Sequence, residues 1–204
     1  LVDKGIGWVT ESVATTEGTS IYLPPFVGSF PDQAANFQCY KVFTTHQTGR
    51  MEFGSFAFRF GEDGAHTPNT LHDREAKLPP RERPVITSME RYYDLFEDRD
   101  LIAALFTIVE DTRIDAYVAR EYGGIRVWLQ RLQAFEAERR PDVRTMALRA
   151  AFCENLLRSS LGRADRILWP RELADILRQG LNALKVIEQP HALVQDSAEV
   201  AAAL

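Results

Sequence analysis

Residues 101–122 read "LIAALFTIVEDTRIDAYVAREY", an apolar segment interrupted near its middle by Glu110 and Asp111. Leu101, Leu105, Ile108 and Val109, then Ile114, Tyr117 and Val118, recur at helical spacing and form a wide apolar stripe. The reading is therefore a buried helix, begun by a cap at Asp98 or Asp100 and stopped by Gly123-Gly124. Carboxylates in such a stripe need partners, because an unpaired buried charge costs several kcal/mol, on the order of 3–5 when one partner is removed.

Working outward, the rest of the C-terminal half is also helical. "PVITSMERYYDLFED" starts a helix at Pro84, and further helices are expected at 125–139, 142–160, 170–187 and 191–204. Pro141, Gly162, the "LGRADRILWP" turn and Pro190 divide them. Towards the N-terminus, "GWVTESVA" and "TSIYLP" flank a Thr/Glu/Gly turn and read as a β-hairpin ended by Pro24-Pro25. Asp32 caps a helix that runs to Met51, and "FGSFAFRFG" reads either as a short strand or as that helix's last turns. Residues 61–83, rich in Gly, Pro, charge and His, read as a long exposed loop. The expected fold class is mainly α (α+β), a helical domain with a small N-terminal β-hairpin or sheet. Residues 1–60 form the hairpin and first helix, and 84–204 the helical region.

The net charge is −5, with acids and bases interspersed, so the chain has no broad basic face for nucleic acid. Its longest apolar run is far short of the roughly 20 residues that cross a bilayer. Two cysteines, Cys39 and Cys153, supply neither a disulfide framework nor a zinc ribbon, and no secretory signal is visible, which makes the cytoplasm the expected location. Leu1 is not an initiator residue and "AEVAAAL" stops within a helical pattern, so the chain is expected to be one segment of a longer polypeptide.

The chemistry centres on "TTHQTGRMEFG", residues 44–54. Zinc hydrolases of the H-E-x-x-H type place two imidazoles on one helix face and use the intervening Glu to activate the metal-bound water. Here His46 remains, Gln47 stands where the base belongs, and Arg50 stands where the second imidazole belongs. A permanent guanidinium repels a divalent metal, so no catalytic residue, metal or cofactor is expected. We expect instead a polar cluster of His46, Gln47, Arg50, Glu110, Asp111 and Arg113, with Arg50 and Arg113 pairing the two carboxylates. Other readings stay open. Glu110 and Arg113 fit an ordinary i,i+3 surface pair with His46 and Arg50 exposed, and Asp111 and Asp115 share one helix face as a metal pair or a solvated one. His66, His72 and His191 lie in loops without partners at ligand spacing, and neither a nucleophile triad around Ser159-Ser160 nor a phosphate-binding glycine loop is present.

Taken together, "YKVFTTHQTGRMEFGSF", "LFTIVEDTRIDAYVAREYGGIR" and "ENLLRSSLGR" resemble the region that precedes the von Willebrand A domain in NorD- and CbbO-type proteins. The resemblance covers most of positions 5 to 204. It implies a non-catalytic adaptor segment that works with a MoxR-type AAA+ ATPase on a client enzyme complex, a metalloenzyme or Rubisco. The D-x-S-x-S metal-dependent adhesion site of that A domain is not in this chain, since "QDSAEV" has the wrong spacing. Two alternatives stand beside the adaptor: a zincin-like hydrolase using His46, Glu110 and Asp111, and a structural oligomerisation module built from the helices after Gly124. The zincin-like ancestry predicts a hairpin or small sheet beside the 32–52 helix, with the 98–122 helix crossing behind it.

Overall fold

Everything in this molecule is arranged around one helix, α4 (Arg99–Glu121), begun by the Asp98 side chain accepting from the Leu101 N–H. Seen in the computed structural model, which describes residues 14–79, 87–168 and 171–204, the chain is 66% helical with eight helices among those residues. In order they are α1 (Gln33–Glu52), α2 (Leu71–Glu75), α3 (Ser88–Tyr93), α4, α5 (Arg126–Arg139), α6 (Leu148–Ser160), α7 (Ala174–Ile187) and α8 (Val194–Ala203). The one sheet among the described residues is an antiparallel hairpin of β1 (Thr15–Thr16) and β2 (Ile21–Tyr22), with Thr15 opposite Tyr22 and Thr16 opposite Ile21. The fold is thus mainly α with a small N-terminal hairpin. Most of the run 7–14, read as the hairpin's first strand, lies outside the described residues. No described helix is long and apolar enough to cross a membrane.

α4 packs against α1, α3, α5, α6, α7 and α8. From Ile108 to Asp115 every one of its residues is buried, so the helix is covered on all sides there rather than along one stripe. One continuous core results: Val27, Cys39 and Phe43 from the N-terminal part join Leu105, Leu156, Leu177 and Ile187. Gly49 on α1 permits the closest approach to α4, because a Cβ there would meet Val118 Cγ2 at 3.1 Å and Ile114 Cγ2 at 3.3 Å.

Several boundaries differ from expectation for identifiable reasons. Residues 53–61 are neither strand nor continued helix; Gly54 takes a left-handed φ of 76°, a 3-10 turn (Ser55–Ala57) follows, and Phe58 and Phe60 turn into the core. The helix read from Pro84 begins at Ser88, where Thr87 and Glu90 form a reciprocal capping box; Pro84 itself lies outside the described residues. Asp142 caps a 3-10 turn (Val143–Thr145) before α6 begins at Leu148, and a left-handed His191 (φ 65°) delays α8 to Val194. The 61–83 segment, read as an exposed loop, carries α2 and buries Leu71. Its backbone is gripped from α8.

That grip centres on Asp196, 0% exposed. Its carboxylate accepts from the Leu193, Ala65, His66 and Thr67 N–H groups and from the Thr67 hydroxyl, at 2.7–2.9 Å. Gly64 is required beside it, since a Cβ would lie 2.2 Å from Asp196 Oδ1. One turn on, Glu199 accepts from Thr70 N–H and hydroxyl. Burial alone raises the Asp196 carboxyl, but these donors outweigh it and hold the group below the usual carboxylate value. Asp196→Ala should therefore cost about 3 kcal/mol at pH 7 by urea titration. Because the depressed pKa stabilises the fold above the unfolded value, the gap to wild type should narrow as pH falls below about 4.

Candidate functional site

α1 and α4 run antiparallel, and the residues of the "HQTGR" motif meet α4 in reversed order. Arg50 forms an ion pair with Asp111, while His46 Nε2 lies 3.3 Å from Asp115 Oδ1 and 3.9 Å from Asp111 Oδ1. An i,i+4 pair on one helix thus faces an i,i+4 pair on the other, as adjacent rungs one turn apart. Gln133 of α5 closes the far side, donating from Nε2 to Asp115 Oδ2 at 2.9 Å.

Glu110 and Arg113 make a second, separate pair. Arg113 Nε and Nη2 donate to the two Glu110 oxygens at 2.9 and 2.6 Å, Nη1 donates to the Ala192 carbonyl, and Ser55 Oγ donates to Glu110 Oε1. The spacing is that of a surface i,i+3 pair, but Arg113 is 0% and Glu110 1% exposed, and His46 is 1% exposed. The surface reading of these residues is thereby overturned. The two arginines do pair the two carboxylates, one each: Arg50 takes Asp111 on the α1 side, and Arg113 takes Glu110 and reaches the Ala192 carbonyl between α7 and α8. Gln47 goes a third way and donates to the Ala14 carbonyl at 2.8 Å, tying α1 to the start of the hairpin. Asp115, Gln133 and Ser55 belong to the site as built. Only Asp115 carried a sequence signal, its position four residues from Asp111 on one face.

Three residues of types that bind metals do converge in His46, Asp111 and Asp115. Arg50 holds the Asp111 carboxylate, however, and puts a fixed cation at the point where a metal would need a lone pair. Among the described residues no three His, Cys, Asp or Glu side chains are arranged to hold a metal ion. Burial pulls the Arg50 guanidinium's pKa down, but the charge and hydrogen bond of Asp111, with Glu110 and Asp115 behind it, more than restore it. Burial pushes Asp115 up, and His46 and Gln133 only partly offset this. Glu110 is held below the usual value: burial raises it, and the hydrogen bonds and charge of Arg113 with Ser55 and Ser197 outweigh that. The arrangement suits a polar clamp between helices. It lacks the free base that the metal-hydrolase chemistry calls for.

Compared with family models, with curated proteins and with solved structures, the chain finds no match in any of the three.

Arg50→Ala leaves Asp111 buried and should cost about 3 kcal/mol in urea unfolding, with Arg113→Leu at least as costly; well under 1 kcal/mol for either is the exposed-pair value. Glu136 of α5 is buried beside Arg139 and Arg140, and burial pushes its carboxyl from 4.5 to about 7 against the pull of both arginines. Arg140 is committed to Glu154, which also holds Arg158. Since the folded pKa of Glu136 is the higher one, the unfolded chain releases the proton first and stability falls as pH rises from 4.5 to about 7. Glu136→Gln should flatten that slope and raise the melting temperature at pH 8.

Proposed function

We propose that the chain is a non-catalytic docking segment of a cytoplasmic adaptor, working with a MoxR-type AAA+ ATPase on a client metalloenzyme or Rubisco complex. The observation that carries the non-catalytic part is the Arg50–Asp111 pair: the residues a hydrolase would direct at substrate are committed to holding α1 on α4. Gln47 is likewise committed, to Ala14. The partner class rests on the resemblance of residues 40–56, 105–126 and 154–163 to the region preceding the A domain of NorD- and CbbO-type proteins. The hydrolase alternative loses support from the same geometry, because Glu110 is held by Arg113 and Ser55 on the α8 side and does not face His46.

Two measurements test this reading. Light scattering of the chain mixed with a MoxR-type ATPase should give a species heavier than the ring alone; unchanged masses for both overturn the adaptor, and a multimer of the chain by itself favours the oligomerisation module. Plasma mass spectrometry after expression with added zinc and no histidine tag should find no stoichiometric metal, whereas near-stoichiometric zinc returns the hydrolase.

A further inference from the structure

The starts of α4, α6 and α7 and the end of α8 enclose a cavity of about 540 Å³, with residues 95–97 and Arg74 of α2 completing its lining. That volume falls within the range of ligand pockets, roughly 300–1,000 Å³. Eleven of the fifteen lining residues are apolar, so the walls offer an occupant contact with hydrocarbon before anything else. Leu101, Ile102 and Leu105 of α4 and Phe152 of α6 supply the inner surface, and none of them is exposed. Leu148 and Ile176, 49% and 39% exposed, form the mouth.

The four charged residues of the lining fix the chemistry of the occupant. Arg149 Nη1 pairs with Asp98 Oδ2 at 2.8 Å, and the other Asp98 oxygen accepts from the Leu101 N–H at 2.9 Å. Arg74 and Glu97, the remaining two, are of opposite sign, so the lining has no net charge. None of the described buried side-chain N or O atoms that lack a hydrogen-bond partner belongs to a lining residue. A charged group brought here would lose water against walls with no net countercharge, and a hydrogen-bonding group would find no buried side-chain partner waiting for it. A hydrocarbon loses nothing by the same transfer. The surface also favours a small molecule over a protein: Leu148 and Ile176 are the only exposed apolar residues of the lining, where a standard interface engages roughly 20–30 residues a side.

We propose that this cavity binds a small, uncharged, mostly hydrocarbon molecule, seated on Leu101, Ile102, Leu105 and Phe152 with any polar end at the mouth. The site makes no use of the α1–α4 clamp, and it stands or falls separately from the adaptor reading.

The test is NMR of the chain carrying ¹³C-labelled Ile, Leu and Val methyl groups, titrated with 1-octanol and, separately, with octanoate and octylammonium. Saturable shifts of Leu101, Ile102, Leu105 and Ile176 are expected with octanol, while Val42 of α1 stays fixed. Both ions should bind about tenfold more weakly, because their charged ends meet a neutral lining. Ala202→Leu adds bulk to the wall and should weaken octanol binding about tenfold. If that variant does not fold, Ile176→Gln at the exposed mouth should weaken it about threefold. Shifts that rise linearly with octanol concentration, an ion that binds as tightly as octanol, or affinity unchanged in the variant that folds overturn the proposal. So does a dimer whose light-scattering mass halves as octanol is added, since a second copy of the chain is then the natural occupant.

Discussion

An acid in a helical core has to be met by a cation or by several N–H groups, and the helix that carries it cannot move without breaking that match. α4 carries three such acids in six residues, Glu110, Asp111 and Asp115, and each is met from a different direction. Asp111 is met from α1 by Arg50, Asp115 by His46 and by Gln133 of α5, and Glu110 by Arg113, which also reaches the Ala192 carbonyl before α8. Apolar packing alone lets helices slide by a turn at little cost. These pairings have one register, so they set how α1, α5 and α8 sit on the central helix.

α8 repeats the device with the signs of donor and acceptor rearranged. Its buried acids, Asp196 and Glu199, find no guanidinium among the described residues; they are met by main-chain N–H groups and hydroxyls of residues 65–70. A loop that would otherwise need its own core is thereby fixed to a helix more than a hundred residues later. Tyr92 adds a third tether, its hydroxyl donating to the Ala198 carbonyl. The loop and α3 take their position from α8.

Much of this was legible locally. Asp32 and Asp98 sit where a helix start needs a side-chain acceptor, Gly123-Gly124 follows α4's last turn, and the apolar period of 101–118 marks a buried helix. That Glu110 and Asp111 are buried could be read from the stripe they interrupt. What could not be read is partner direction. A periodic stripe shows one buried face, whereas residues 108–115 are buried on every face, so the neighbours of Arg113 and Asp115 depend on the six other helices packed around α4. Asp196 was invisible for the same reason: in "QDSAEV" it is an ordinary first-turn acid, and its loop partners lie about 130 residues away.

The motif that drew attention to α1 now has a physical explanation in its own terms. Positions 46 and 50 lie on one helix face, which is the geometry that two imidazoles would use to share a metal. The same geometry serves equally to place one imidazole and one guanidinium opposite two carboxylates at matching spacing. Gly49 between them lets the helices come close enough for both rungs to form. Exchanging an imidazole for Arg at position 50 converts a site that would need a divalent cation into one that supplies its own, and the charge it brings is permanent at any physiological pH. Stability of the α1–α4 contact then depends on no solute. That is the property expected of a structural clamp.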